Sequence, residues 1–142
     1  MDNLDKKKRS WNMSRIKSKN TKPEIVVKKY LYKNGVRYKS SNKKLIGNPD
    51  LIIKKYKLVL FVHGCFWHAH QNCKEFRYPK SNVDFWKKKI DKNIQRDKEV
   101  LKTLDKLSYD VYVIWECEIN KKDFGVLEEF IKAYKQLKEK IS

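Results

Sequence analysis

The spacing of apolar and polar positions changes along this chain, and each change predicts an element. Thr21-Lys22-Pro23-Glu24 opens a helix, with a threonine cap, a proline in the first turn and a glutamate three places after the cap. Val26, Val27, Tyr30 and Leu31 follow at helical spacing, and Asn34-Gly35 supplies a stop, so this helix runs from Pro23 to about Lys33. Val36 to Lys39 reads as a short strand and Asn42 to Asn48 as a loop. Leu51-Ile52-Ile53 and Leu58-Val59-Leu60-Phe61-Val62 are apolar runs of strand length around the polar Lys54-Lys55-Tyr56-Lys57, which predicts a hairpin. From Asp84 to about Leu107 the period becomes helical, with Trp86, Ile90, Ile94, Leu101 and Leu104 on one stripe. Val111 to Trp115 is another strand, ending at Glu116-Cys117-Glu118. A last amphipathic helix spans Phe124 to Ile141, with Leu127, Phe130, Ile131, Tyr134 and Leu137 inward. Interleaved strands and helices give an α/β class, a mixed central sheet flanked by helices, with no internal repeat and no interdomain linker.

Two carboxylates acquire meaning from this pattern. Folding the hairpin about its polar turn brings Asp50 within a residue or so of Val62 and His63 on the neighbouring strand. Asp97 falls on the apolar stripe of the long helix, where an ionised group needs a cation or hydrogen bonds to offset its desolvation. The alternative is a helix rotated far enough to leave Asp97 in water.

Composition narrows the class of partner. A chain of 142 residues is one domain, and its 35 basic against 17 acidic residues give a formal charge of +18, which points to a polyanion and above all to nucleic acid. Residues 1 to about 20 carry Lys6, Lys7, Lys8, Arg9, Arg15, Lys17 and Lys19, the composition of an arm that orders on a phosphate backbone. Trp11, Met13 and Ile16 favour contact over a purely solvated tail. Residues 21–142 then form the folded domain. No apolar run reaches transmembrane length and the N-terminus lacks the apolar stretch of a signal peptide. Three cysteines near histidines, with no even-numbered framework, fit metal ligation in a reducing, intracellular setting rather than disulfides.

The segment from Val62 to Cys73 holds all three histidines and two of the three cysteines, more reactive side chains than packing requires. Cys65, His70 and Cys73 lie close enough to offer a zinc ion three ligands from one loop, and Cys117 is the remaining cysteine for a fourth. Spacing alone leaves His68 open as a ligand in place of His70. A second constellation joins Asp50, His63, His68 and Asp97: carboxylate oxygen for a hard cation, and imidazole for proton transfer. That mixture suits metal-assisted phosphodiester hydrolysis, with magnesium at Asp50. Glu24 by itself reads as a helix-capping residue.

Gly47-Asn48-Pro49-Asp50, His63-Gly64-Cys65-Phe66-Trp67-His68, Phe85-Trp86, Asn93-Ile94-Gln95-Arg96-Asp97 and Val113-Ile114-Trp115-Glu116-Cys117 occur in order. Together with Asn12-Met13-Ser14-Arg15-Ile16-Lys17 and Thr21-Lys22-Pro23-Glu24, they resemble the very short patch repair (Vsr) DNA mismatch endonucleases over roughly residues 9 to 120. The resemblance implies a restriction-endonuclease-like core that nicks one strand 5′ of the thymine in T:G mismatches, which arise when 5-methylcytosine deaminates. It implies magnesium held by Asp50 and the backbone carbonyl of Val62. His63 and His68 would serve phosphate and proton chemistry, with His68 held by Asp97, and Glu24 would be an additional acidic residue. Cys65, His70, Cys73 and Cys117 would hold structural zinc. Phe66, Trp67 and Trp86 would intercalate beside the mismatch from the major groove, with Met13 in the minor groove, although Trp86 could instead pack in the core. Val62 stands where some members have threonine, and Gln71-Asn72 makes the His70-to-Cys73 gap one residue longer than in some. Double-stranded DNA containing the mismatch is the implied partner, with mismatch-repair proteins as further candidates. A bacterial cytoplasmic, nucleoid-associated monomer is expected, since an asymmetric lesion needs no two-fold symmetry. The rivals are a restriction or broader-specificity nicking enzyme on the same fold and a noncatalytic zinc DNA-binding module.

Overall fold

The computed structural model describes residues 21–40, 45–71, 73–74 and 76–141. The expected basic arm, with Met13, lies outside the described residues. In chain order the elements are α1 (Lys22–Lys33), β1 (Lys39–Ser40), β2 (Leu51–Ile53), a single 3₁₀ turn (Lys54–Tyr56), β3 (Leu58–His63), α2 (Val83–Lys106), β4 (Asp110–Trp115), α3 (Glu116–Asn120) and α4 (Gly125–Ile141).

The four strands pair in the order β1-β2-β3-β4. The β1–β2 and β2–β3 pairs are antiparallel, whereas β3 and β4 run parallel and are joined through α2, so the sheet is mixed. Side chains alternate across it, as the pleat requires. Leu51, Ile53, Leu58, Leu60 and Ile114 join Val27 and Leu31 of α1 and Leu127, Phe130 and Ile131 of α4 in the larger core. Ile52, Val59 and Phe61 face the other way, onto Val100 and Leu104 of α2. The same alternation assigns His63, two residues after Phe61, and Trp115, two after Val113, to the α2 side, where their rings meet at 5.1 Å.

Three local expectations are corrected. Val36 does not begin a strand: Gly35, at φ +84°, and Val36 donate their N–H groups to Tyr32 and Leu31 carbonyls and close the end of α1, so β1 starts at Lys39. Leu101 is not inward; it is 38% exposed, and Val100 fills the stripe between Ile90 and Leu104. The chain also turns directly from β4 into α3, a short helix that carries Cys117. Among the described residues no helix is long and apolar enough to cross a membrane.

Candidate active site

The acidic end of the site comes from the β2–β3 hairpin and the first turn of α1. Pairing of Leu51 with Leu60 sets Asp50 beside the end of β3, where its Oδ2 accepts the Val62 N–H at 2.6 Å. Thr21 caps α1 by accepting the Glu24 N–H at 3.4 Å, while buried Glu24 turns its carboxylate toward Asp50, close enough to raise the Asp50 pKa, and lies 3.9 Å from Lys28 Nζ. Glu24 is therefore both part of the helix start and part of the cleft. Burial pushes the Asp50 carboxyl up to about 7; the Val62 N–H opposes this and the Glu24 charge adds to it. Two carboxylates held this close out of water form a donor set that fits a hard divalent cation.

Imidazoles occupy the next position. His63, 7% exposed, stacks on His68 with ring centroids 3.8 Å apart and planes 5° from parallel. Burial, reinforced by the His68 charge, lowers His63 to about 4, so it is neutral at pH 7, and its buried Nδ1 has no hydrogen-bond partner among the described residues. His68 Nδ1 lies 2.7 Å from Asp97 Oδ2, which is the partner that the position of Asp97 on α2 requires. Ligand atoms of His63, His68 and Asp97 all lie within 4.8 Å of one another. Glu24, Asp50, Val62, His63, His68 and Asp97 line one cavity of about 590 Å³.

A second cluster sits beyond the parallel pair. His63 pairs with Trp115, so Cys65 and Cys117 each follow a paired residue by two positions and leave the sheet side by side. His70 Nδ1 lies 3.6 Å from Cys65 Sγ and 3.4 Å from Cys117 Sγ, and with Cys73 the four ligand atoms fall within 4.8 Å of one another. A tetrahedral ion with bonds to sulfur of about 2.3 Å and to nitrogen of about 2.0 Å sets ligand separations of about 3.5–3.8 Å, so this cluster could hold a metal such as zinc. His70, not His68, stands beside the thiols. Its ring stacks on Trp115 at 3.9 Å and 7°. Burial pushes Cys65 up to about 12, against the Cys117 N–H that it accepts at 3.4 Å, and burial raises Cys117 as well. Thiols that resist ionisation in the protein alone are ionised by coordination, because the cation becomes the largest local charge.

Beside the cavity lies an aromatic group. Phe66 meets Trp67 at 5.1 Å and Trp86 at 5.5 Å, both nearly edge-on, and Trp67 meets Trp86 at 6.0 Å. Trp86 is half-buried rather than sealed in the core, and its neighbour Phe85 is 58% exposed. Trp67 also lines the cavity, so the aromatic group and the acidic cleft share a wall. Sequence reasoning missed Lys89, whose Nζ sits 5.5 Å from the Trp67 ring centroid and 5.9 Å from that of Trp86. It placed Asn93, Arg96 and Glu116 within motifs but gave no role to Arg96 and Glu116 in the cavity wall or to Asn93 beside Trp67. Trp86, Lys89, Asn93 and Arg96 recur at intervals of three and four, a polar-aromatic stripe that is visible once apolar periodicity is not the only pattern sought.

The family model for the DNA mismatch endonuclease Vsr matches residues 1–75, just over half of the chain. The chain is 48% identical over 115 residues to the type II nicking enzyme V.NmeAIP of Neisseria meningitidis, covering 81% of each. With the type II nicking enzyme V.XorIIP of Xanthomonas oryzae it shares 41% identity over 127 residues, 89% of this chain and 91% of the relative. With the DNA mismatch endonuclease Vsr of Escherichia coli it shares 36% over 115 residues, 81% of this chain and 73% of the relative. The chain therefore belongs to the Vsr family of DNA mismatch endonucleases and is a DNA endonuclease.

Proposed function

We propose that this protein nicks one strand of duplex DNA 5′ of the thymine in T:G mismatches, by magnesium-dependent hydrolysis on a restriction-endonuclease-like core braced by zinc. The observation that carries this reading is a shared wall: Trp67 belongs both to the aromatic group and to the cavity that holds Glu24, Asp50, His63, His68 and Asp97. A lesion sensor and hydrolytic groups are thereby held a side chain apart.

Asp50 and the backbone carbonyl of Val62 would hold Mg²⁺, with Glu24 as the additional acidic group, and the bound ion supplies neutralisation of charge on the scissile phosphate. Asp97 fixes the His68 tautomer by accepting the Nδ1 proton at 2.7 Å, which leaves Nε2 basic and able to take a proton from an attacking water. Neutral His63 lies against the His68 ring and is free to hydrogen-bond the phosphate. Cys65, His70, Cys73 and Cys117 would close four-coordinate zinc, a structural arrangement with no open position for substrate. Phe66, Trp67 and Trp86 would enter the base stack. Unstacking costs a few kcal/mol per step and less where pairing is already poor, so a mismatch is favoured before any base is read.

A strand-labelled nicking assay on T:G, T:A and C:G duplexes, with and without magnesium, tests the proposal. T:G is expected to be cut much faster than the matched duplexes, only with magnesium, and not by Asp50→Ala. Similar rates on T:G and T:A would favour a broader-specificity nicking enzyme on the same fold. Undiminished cutting by Asp50→Ala would reject the metal site, and no magnesium-dependent nick on any duplex would reject both readings.

A further inference from the structure

Arg96 is the only lysine or arginine among the described residues that line the cavity, where it faces a wall containing Glu24, Asp50, Asp97 and Glu116. Its hydrogen-bond partner is not one of those carboxylates. Arg96 Nη2 donates instead to Asn93 Oδ1 at 3.3 Å, one helical turn earlier on α2. Asn93 uses the other end of its amide to donate from Nδ2 to the Trp67 carbonyl at 3.0 Å. The orientation of that amide is dictated chemically: a carbonyl only accepts and a guanidinium only donates. One neutral side chain thus joins the backbone of the aromatic segment to the single guanidinium in the cleft.

We propose that Arg96 grips a phosphate of the bound strand in the cleft, and that Asn93 positions Arg96 according to where the Trp67 backbone lies. This inference rests on the nuclease reading above. A phosphodiester entering this cavity meets an excess of carboxylates, and a guanidinium can bind two phosphate oxygens at once through its planar fork. Because its partner is a neutral amide, the charge of Arg96 and most of its donors remain available to the substrate. Entry of Trp67 into a base stack shifts the carbonyl that Asn93 holds, and the amide transmits the shift to Arg96. Arg96 then sets the rate on any duplex, while Asn93 sets how strongly the rate depends on the mismatch.

The test uses the full, zinc-loaded chain and the variants Arg96→Ala, Arg96→Lys, Asn93→Ala and Asn93→Ala/Arg96→Ala, with zinc content and melting temperature recorded for each. Single-turnover nicking rates and dissociation constants are measured on T:G and T:A duplexes. Arg96→Ala is expected to lower the saturated rate on T:G by about 100-fold while the dissociation constant changes only a few-fold, the signature of a contact made chiefly in the transition state. Arg96→Lys should recover part of the rate. Asn93→Ala should reduce the T:G rate more than the T:A rate, and should add little in the Arg96→Ala background, as coupled residues do. An Arg96→Ala protein that nicks at the wild-type saturated rate, or loses only salt-sensitive affinity, overturns the phosphate grip. Additive effects, or an unchanged T:G to T:A ratio in Asn93→Ala, overturn the positioning role. Wild-type protein that nicks no duplex would defeat the nuclease reading and this inference together, whereas active wild type with an equally active Arg96→Ala defeats this inference alone.

Discussion

Asp50 and His63 are shifted in opposite directions at one end of the same cavity, so each stabilises the fold over a different pH range. Asp50 rises from 3.8 to about 7 because it is buried beside Glu24. The native state then keeps a proton that the unfolded chain has released, so this contribution is complete below about pH 4 and is lost as pH rises through 7. His63 falls from 6.5 to about 4, so its contribution is complete above about 6.5 and is lost as pH falls through 4. In magnesium-free buffer with zinc retained, Asp50→Asn should gain melting temperature relative to wild type progressively from pH 4 to 7. A difference independent of pH would show that Asp50 titrates normally. Asp97 gives a kinetic prediction. Asp97→Asn keeps the size of the side chain but no longer enforces the His68 tautomer, so the nicking rate should fall by about 100-fold or more with zinc content and melting temperature preserved. An unchanged single-turnover rate would remove His68 from proton transfer. The meeting of Asp50 with Val62 was legible in the sequence, because two apolar runs around a polar turn fix which residues oppose each other. The carboxylate of Glu24 was not legible from spacing and entered only through the family resemblance: capping explains its backbone, and only packing of α1 against the hairpin brings its side chain to Asp50. Whether His68 or His70 joins the thiols was equally beyond spacing, because it depends on Asp97 drawing His68 toward α2.

At the scale of elements, α2 is held to the sheet at an angle that its sequence does not specify alone. Apolar spacing proposed Leu101 for the inner stripe, yet Val100 is buried and Leu101 opens onto the cavity. The bonds from His68 to Asp97 and from Asn93 to Trp67 fix the rotation of the helix, and both are tertiary. Gly47 shows how closely the loop before Asp50 fits that helix. At φ +82°, a Cβ there would collide with Val100 Cγ1. Gly47→Ala therefore combines left-handed backbone strain with a clash, and should cost about 1–3 kcal/mol in denaturant unfolding. Val100→Ala in the same chain should return part of that loss, leaving the backbone strain. If the two substitutions are additive to within about 0.5 kcal/mol, Val100 is not what Gly47 accommodates. The short helix α3 left no periodic trace, since five residues with Ile119 as their one buried side chain make no pattern. Its consequence was legible in part, because the parallel pairing of β3 with β4 was the condition for Cys65 and Cys117 to meet.

For the molecule as a whole, the weak point is the stretch from Gly64 to Asn82, in which the described residues form neither helix nor strand. Irregular segments of this length in a compact domain need an anchor, and backbone ladders do not supply one here. Cys65, His70 and Cys73 lie within the stretch, and Cys117 reaches it from the end of β4 through α3. An ion bound to all four would tie the stretch to both strands of the parallel pair. Phe66, Trp67 and His68 are enclosed between the first and second of these ligands, so the same ion would hold part of the proposed lesion sensor and the imidazole proposed to transfer a proton. Under the proposed mechanism, stability, DNA distortion and hydrolysis would all depend on one coordination site, although none of its ligands touches the substrate. Elemental analysis should find about one zinc per chain. Its removal by a strong chelator should lower the melting temperature and abolish nicking together, because structural zinc commonly contributes on the order of 10 kcal/mol to folding. Zinc added back to the metal-free protein should restore both properties, whereas magnesium added alone should restore neither. Cys117→Ser should behave as the metal-free chain does, even though residue 117 is far along the sequence from the aromatic segment. A zinc-free protein that melts at the original temperature and still nicks T:G duplexes would show that the four side chains pack without the ion, and that the stretch is held by its ring stacking alone.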